Sequence, residues 1–234
     1  MKRYIFDVDG TLTAPRRPID EKFAEWFCEW AQGKSVYLVT GSDRDKTREQ
    51  LGEDVLRAIT RVYNCLGNDV WESNDHIRTT TWKLPEDAHT WLSQQLTESG
   101  FELRTGIHFE HRPGMVNFSI VGRGAEWDER EQYIKWDQAT NERVNIAGKF
   151  NSMFPSMEAR VGGDTGIDIT ERGADKSQIL ADFDPDDDLI FFGDDMDPSG
   201  NDYTLYRAIV DEHRGSVYTV NNYNETWNLL QYGK

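Results

Sequence analysis

The chain has 234 residues, enough for one large domain or two smaller ones around a buried core. Its 42 acidic and 26 basic residues give a net charge of −16, and such a surface repels nucleic acid and anionic lipid, so we expect neither as a partner. Two cysteines exclude a disulfide framework. No apolar run approaches the ~20 residues that cross a bilayer, and we expect a cytoplasmic protein without a membrane segment.

Short runs rich in β-branched and aromatic residues predict five strands, and segments with helical spacing lie between them. Several of these runs are apolar throughout, which is typical of a parallel sheet covered on both faces. The pattern therefore predicts a doubly wound α/β core. The predicted strands are 4–8, 36–40, 61–65, 189–192 and 216–220, and the predicted helices are 20–31, 43–59 and 203–211.

The middle third of the chain breaks this rhythm. Its strands and helices are grouped in a way that favours an α+β insert with its own core. We expect the insert to span residues 80–171, so that the core is formed by residues 1–79 and 172–234. The insert's predicted helices are 86–99 and 127–150, and its predicted strands are 107–112, 115–121, 159–161 and 166–170.

Two acidic residues mark the end of the first strand, in the segment Asp7-Val8-Asp9-Gly10-Thr11. Open α/β sheets bind their ligands at this carboxyl edge. Strand alternation would place Asp7 and Asp9 on the same side, and two close carboxylates are costly without a cation beside them. The segment is therefore a candidate catalytic or metal site.

Three further segments carry polar residues at the end of a predicted strand or the start of a predicted helix. The second strand ends in Thr40-Gly41-Ser42, and Lys176 opens the helix that follows the insert. An apolar strand leads into Gly193-Asp194-Asp195, and Asn201 and Asp202 follow. In this order the four segments resemble the motifs of the haloacid dehalogenase (HAD) superfamily of phosphotransferases.

That resemblance implies a role for each residue. Asp7 would attack phosphorus to form an aspartyl phosphate, and Asp9 would act as general acid and then as base. The Mg²⁺ site would be formed by Asp7, Asp194 and the backbone carbonyl of Asp9. The transferring oxygens would be held by Lys176 and by Thr40, with Ser42 as the alternative to Thr40. The residues that orient the metal site would be Asp195, Asn201 and Asp202.

The predicted insert carries a local excess of positive charge. Residues 104–123 contain three arginines, Arg104, Arg112 and Arg123, against the single acid Glu110. Guanidinium groups bind phosphate through paired, charge-assisted hydrogen bonds. The segment is therefore a candidate anion site, and an ordinary basic surface strand is the alternative.

Longer segments are similar to the eukaryotic-type phosphomannomutase family. The first motif extends through Ala14-Pro15-Arg16, the insert contains RPGMVNFSIVGR at 112–123, and Gly162-Gly163 also matches. The resemblance covers essentially the full chain. It implies an α/β fold, with a HAD-like Rossmannoid parallel-sheet core and an inserted α+β cap. The substrate-binding residues that it implies are Arg16, Arg112, Asn117, Arg123, Arg130 and Asp168.

The implied activity is magnesium-dependent interconversion of mannose 1-phosphate and mannose 6-phosphate, with glucose phosphates as further candidates. The implied route uses an aspartyl phosphate and a hexose 1,6-bisphosphate, which would also be the activator. A sugar-phosphate phosphatase of the same superfamily stays open as an alternative, because hydrolysis needs only the core residues and water. A non-catalytic binding protein is the third hypothesis, and the four intact charges Asp7, Asp9, Lys176 and Asp194 disfavour it.

Some positions depart from the family pattern. Pro113, Gly166 and Asp195 stand where members usually or often have Asn, Ser and Lys.

A homodimer formed through the cap is also open, because family members commonly pair there. Its candidate contacts are Phe109, Trp127 and Tyr133, for which packing inside the cap is the equal alternative.

Overall fold

The computed structural model describes residues 1–233, and these form two compact units. The first unit, the core, comprises Met1–Thr79 and the chain from Ala174 onward, and the second unit, the cap, is Thr80–Gly173. The sequence predicted residues 80–171 for the cap, so the second junction lies two residues later than expected. Among residues 1–233, no helix combines the length and apolar character needed to cross a membrane.

A seven-stranded sheet forms the centre of the core. Its strand order is β11-β10-β1-β2-β3-β4-β5, in which the first five strands run parallel, β4 pairs antiparallel with β3, and β5 pairs antiparallel with β4. Apolar side chains alternate between the two faces, as Ile5 and Phe6 do on β1. The strands are β1 (Lys2–Phe6), β2 (Ser35–Val39), β3 (Arg61–Asn64), β4 (Asp69–Glu72), β5 (Asp75–Thr79), β10 (Asp188–Gly193) and β11 (Gly215–Thr219).

Helices cover both faces of the core sheet. Phe23 and Phe27 of α1, Leu51 of α2 and Trp227 of α7 pack on one face. The other face is covered by α6 and by a 3₁₀ helix, Lys176–Asp182, which contributes Ile179. The helices are α1 (Glu21–Ala31), α2 (Arg44–Ala58), α6 (Tyr203–Asp211) and α7 (Tyr223–Tyr232). This two-sided burial is what the uniformly apolar strands predicted.

The cap is a four-stranded antiparallel sheet with three helices packed on one face. Its strand order is β6-β7-β9-β8, and the aromatic side chains of Phe118, Tyr133 and Phe150 lie in the core between sheet and helices. The strands are β6 (Ile107–Arg112), β7 (Met115–Arg123), β8 (Met157–Gly162) and β9 (Gly166–Glu171). The helices are α3 (Glu86–Glu98), α4 (Trp127–Thr140) and α5 (Glu142–Met153).

The structure corrects several predicted elements. The helix expected over 127–150 is two helices, because Asn141 has a φ of 53° and ends the first one. The hairpin of β4 and β5 and the last helix, α7, were not predicted. Tyr133, a candidate dimer contact, is fully buried inside the cap, whereas Trp127 is 63% exposed.

Candidate active site

The loops that follow three parallel strands meet at the carboxyl edge of the core sheet. β1 ends at Phe6, and its neighbour β10 ends at Gly193. The backbone N–H of Asp7 donates to the carbonyl of Phe192 at 2.9 Å, which continues the pairing just beyond the strands. The adjacent strands therefore bring Asp7 and Asp194 to the same edge of the sheet.

A cluster of three carboxylates lies at this edge. Asp7, Asp194 and Asp202 each offer a carboxylate oxygen, and these oxygens lie within 4.8 Å of one another. Gly10, with a φ of 82°, leaves room for the cluster, because a Cβ there would lie 2.1 Å from Asp194 Oδ2. We call this group the acidic cluster.

Lys176 is the buried cation of the acidic cluster. Its side chain is fully buried, and its Nζ donates to Asp7 Oδ1 and to Asp202 Oδ1, both at 2.6 Å. The Asp175 side chain caps the 3₁₀ helix by accepting from the N–H of Ser177. The helix therefore begins at Lys176. One lysine thus neutralises one of the three acids, and the cluster keeps a negative excess.

This excess shifts the ionisation of the acids. Burial raises the pKa of Asp7 well above its ordinary value, and the charge of Lys176 only partly offsets the effect. Asp194 keeps contact with solvent, yet partial desolvation and the charge of Asp202 raise its pKa to about 7. Burial opposes the charged form of Lys176, but Asp202 and Asp7 outweigh it and raise its pKa, so the lysine stays protonated.

The carboxylate of Asp9 is held away from the acidic cluster. Its Oδ1 accepts from the backbone N–H of Arg16 at 2.5 Å and from Gln50 Nε2 at 2.9 Å, and Lys46 Nζ lies 3.9 Å from Oδ2. The Asp9 carboxylate is therefore not one of the groups of the acidic cluster, and its pairing with Asp7, which strand alternation suggested, stays a prediction. The contact expected between Asp9 and a metal uses its backbone carbonyl, and it stays a prediction.

The remaining predicted core residues lie in the same loops. Thr40 and Ser42 are buried after β2, and Thr40 Oγ1 accepts from the N–H of Ser42 at 3.1 Å. The backbone N–H of Asp195 donates to Asp202 Oδ2 at 3.2 Å, while that of Asn201 donates to the Asp195 carboxylate. These bonds close the loop after β10 around the acidic cluster.

The cap carries a second cluster of charge, on β6 and β7. Glu110 Oε2 accepts from Arg112 Nη2 at 2.7 Å and from Arg123 Nε at 2.5 Å. We call these three residues the arginine cluster. Arg104, the third arginine of the predicted basic segment, is not part of it, because its guanidinium group donates to backbone carbonyls between Leu96 and Leu103.

Asn117 and Asp168 stand in the same row of the cap sheet as Glu110. β6 pairs Glu110 with Asn117, and β7 pairs Asn117 with Asp168, so the three side chains share one face. Asn117 Nδ2 donates to Asp168 Oδ1 at 2.6 Å. A Cβ at Gly162 would lie 2.3 Å from Asp168 Oδ2, and one at Gly166 would lie 2.5 Å from Asn117 Nδ2. Gly166 therefore makes room for this pair.

Arg130 is the third candidate substrate-binding arginine of the cap, after Arg112 and Arg123. It is buried, and its Nη2 has no hydrogen-bond partner among the described residues. Burial lowers the pKa of its guanidinium group, with Asp164 opposing and Arg123 adding to that shift. A buried donor without a partner is costly, so this nitrogen is suited to an anionic ligand.

Pro113 fits the turn in which it lies. Arg112 pairs with Met115, so Pro113 and Gly114 form a two-residue hairpin loop, and Gly114 has a φ of 64°. Proline followed by a glycine with positive φ is typical of a type II turn. Pro113 is therefore compatible with the tight turn that follows Arg112.

Two residues of the site, Gln50 and Glu110, were not among the predicted site residues. Gln50, which holds Asp9, is a polar residue at a buried position of α2, and its place beside Leu51 on the buried face was a usable signal. Glu110 was counted only as an acid among arginines. Its spacing of two from Arg112 on a predicted strand places both on one face, which could have indicated the ion pair.

The acidic cluster suits a hard divalent cation. All its ligand atoms are carboxylate oxygens, which Mg²⁺ prefers, and the negative excess around Lys176 would be balanced by a bound cation. Chemically, the cluster brings three carboxylates and a protonated lysine together in one place. The arginine cluster presents donors suited to an anion.

Comparison with solved structures relates the chain to the HAD fold. A sugar phosphatase of HAD subclass IIB superposes with a TM-score of 0.61 at 13% identity, covering 100% of this chain and 99% of that one. The N-terminally truncated IMP-nucleotidase of Plasmodium falciparum also superposes with a TM-score of 0.61, at 15% identity over 99% of this chain and 69% of that one. At these identities the likeness concerns the fold, a parallel-sheet core with a cap domain.

Sequence comparison places the chain more narrowly. The phosphomannomutase of Dendrobium officinale is 30% identical over 212 residues, covering 87% of this chain and 84% of that protein. The phosphomannomutase of Triticum aestivum is 28% identical over 230 residues, covering 95% and 91%. The family model described as "Eukaryotic phosphomannomutase" matches residues 23–232. The chain therefore belongs to the eukaryotic phosphomannomutase family, a family of phosphohexomutase enzymes.

Proposed function

We propose that this enzyme interconverts mannose 1-phosphate and mannose 6-phosphate through a phosphorylated Asp7, with glucose phosphates as further substrates. The observation that carries the proposal is the contact of Asp7 with the buried Lys176 inside the acidic cluster. The names of the sequence relatives support the sugar.

In the first half-reaction a hexose bisphosphate forms. A carboxylate oxygen of phosphorylated Asp7 gives up its phosphoryl group to the free hydroxyl of the sugar monophosphate, whose proton passes to Asp9. One Asp7–phosphorus bond breaks and one sugar oxygen–phosphorus bond forms. Gln50 and the N–H of Arg16 hold the Asp9 carboxyl group for this exchange.

In the second half-reaction the other phosphate is removed. Asp7 attacks its phosphorus, the ester bond to the sugar breaks, and Asp9 returns the proton to the leaving oxygen. Lys176 offers a positive charge to the oxygens of the transferring group, and Thr40, with Ser42 as the alternative, offers a hydroxyl. The product is the isomeric monophosphate, and Asp7 is phosphorylated again.

Asp7, Asp194 and the backbone carbonyl of Asp9 would hold Mg²⁺. When bound, Mg²⁺ neutralises charge on the phosphoryl oxygens. Asp202 keeps Lys176 in place, and Asp195 and Asn201 fix the loop in which Asp194 stands. Hexose 1,6-bisphosphate is the activator, because it phosphorylates Asp7 for the first turnover.

The cap residues bind the part of the substrate that does not react. Arg112, Arg123 and Arg130 hold the distal phosphate, and Asn117 and Asp168 bind sugar hydroxyls. In the core, Arg16 is a further substrate-binding residue. Two observations support this role: Arg130 Nη2 has no hydrogen-bond partner within residues 1–233, and Arg112 and Arg123 are paired around Glu110.

A product assay tests the proposal. Incubating the protein with magnesium and mannose 1-phosphate, with and without a trace of hexose 1,6-bisphosphate, should give mannose 6-phosphate with little free phosphate. The bisphosphate should shorten any lag. Release of inorganic phosphate without isomer would refute the mutase and support the sugar-phosphate phosphatase instead, since hydrolysis requires only the core residues and water.

A further inference from the structure

Glu110 has a place in the arginine cluster that neither the motifs nor the proposed reaction explains. A single oxygen, Oε2, accepts hydrogen bonds from both Arg112 and Arg123. The arginines come from neighbouring strands, Arg112 at the end of β6 and Arg123 at the end of β7. The Glu110 carboxylate thus bridges the two guanidinium groups.

The bridge by Glu110 is important because Arg112 and Arg123 carry charges of the same sign. Two guanidinium groups repel each other, and each arginine side chain has many rotamers that it loses when it is fixed. A shared carboxylate offsets the repulsion and holds both groups in one arrangement. Burial alone would raise the pKa of Glu110, but Arg112 and Arg123 outweigh it and lower the pKa, so the residue is ionised at neutral pH.

We propose that Glu110 is a positioning residue for the distal phosphate, holding Arg112 and Arg123 in place so that both bind one phosphate group. This inference rests on the proposed function, because it takes the two arginines as phosphate ligands. Its effect is opposite to that of charge alone. As a mere negative charge beside the site, Glu110 would weaken phosphate binding, whereas as a positioning residue it strengthens binding.

Whether removing the Glu110 charge weakens or strengthens substrate binding therefore distinguishes a positioning residue from a mere negative charge. In an Asp7→Asn background, which separates binding from turnover, calorimetry measures the dissociation constant of mannose 1-phosphate. Glu110→Gln should raise this constant about tenfold, the scale of one lost charge-assisted hydrogen bond. Glu110→Asp keeps the charge but shortens the side chain, and it should weaken binding as well.

The cap offers a control on a helix, away from the row of Glu110, Asn117 and Asp168. Glu98, the last residue of α3, is exposed and its Oε1 accepts from Gln94 Nε2 at 2.7 Å. Glu98→Gln removes one negative charge, as Glu110→Gln does, and should leave the dissociation constant within about twofold of the parent. Unchanged or tighter binding by Glu110→Gln would overturn the inference. If Glu110→Gln fails to fold, Glu110→Asp takes its place in the test, and tighter binding by Glu110→Asp would overturn the inference.

The inference and the proposed function fail in different ways. If the unsubstituted enzyme binds mannose 1-phosphate but releases only inorganic phosphate, the mutase is refuted while the role of Glu110 can still be measured. If the enzyme isomerises the sugar phosphate and Glu110→Gln binds it as well as the parent does, only the role of Glu110 is refuted.

Discussion

The acidic cluster of the core and the arginine cluster of the cap are built alike with opposite charges. In the core, one buried lysine is shared by two carboxylates, Asp7 and Asp202. In the cap, one carboxylate, Glu110, is shared by two guanidinium groups. Each cluster keeps an excess of the sign opposite to the ligand that we propose for it. In both clusters a shared counter-charge holds two like charges in place, and the remaining excess charge still attracts a ligand of opposite sign.

The core cluster should depend on its shared charge far more than a surface pair does. Lys176→Met leaves Asp7 and Asp202 buried without their cation, and we expect unfolding free energy to fall by about 3–5 kcal/mol. Urea unfolding of the cation-free protein measures this. Lys135→Met, which breaks an exposed pair with Glu131 at 3.3 Å, is the control and should change little. Equal stabilities of the two variants would show that Lys176 is not a structural counter-charge.

The acids of the core cluster should make metal binding sensitive to pH. The pKa of Asp194 is raised to about 7 without a cation, so below pH 7 a proton must leave before Mg²⁺ binds. We expect magnesium affinity to rise by up to about tenfold per pH unit toward pH 7 and to level off above it. Calorimetric titrations at pH 6 and pH 8 measure the change.

Asp194→Asn is the matched variant for that experiment. It should bind magnesium more weakly at both pH values and with less pH dependence, because Asp194 no longer titrates and, of the two ligand carboxylates with a raised pKa, only Asp7 remains. Identical affinities of the parent at pH 6 and pH 8 would contradict the role of Asp194.

The cap site should respond to a smaller steric change. Gly166→Ser places a Cβ where the Asn117 amide now lies, and the amide must move away from Asp168. We expect the KM for mannose 1-phosphate to rise about threefold to tenfold with kcat less affected, since part of one charge-assisted hydrogen bond is lost. Gly148→Ser on α5, where a Cβ meets nothing within 4 Å, is the control. An unchanged KM for Gly166→Ser would separate the Asn117–Asp168 pair from substrate binding.

Much of the fold could be predicted because it rests on long apolar patterns. The buried parallel strands and the helices between them follow from periodicity, and the break into an insert follows from a change of pattern. The hairpin strand β5 was missed because every residue of Asp75–Thr79 is exposed, so no apolar alternation marks it. The end of α4 was missed because it depends on the left-handed backbone of Asn141. The last helix had a signal, the capping residue Asn222, that went unused.

The site could be predicted only as far as strand ends determine it. Neighbouring parallel strands bring Asp7 and Asp194 together, since their carboxyl ends share one edge. Which carboxylate turns toward which partner depends on the loops. The turn at Gly10 sends the Asp9 carboxylate to Gln50, and the loop after β10 brings Asp202 into the acidic cluster. No spacing rule in the sequence encodes those turns.

The central claim is that Asp7 carries the phosphoryl group between the two half-reactions. Incubation with magnesium and hexose 1,6-bisphosphate labelled with ³²P at the phosphates, followed by acid quenching, tests it directly. We predict label on the protein that hydroxylamine releases, as expected for an acyl phosphate, and no label on Asp7→Asn. An unlabelled parent enzyme that still isomerises mannose 1-phosphate, or equal labelling of Asp7→Asn, would contradict the account.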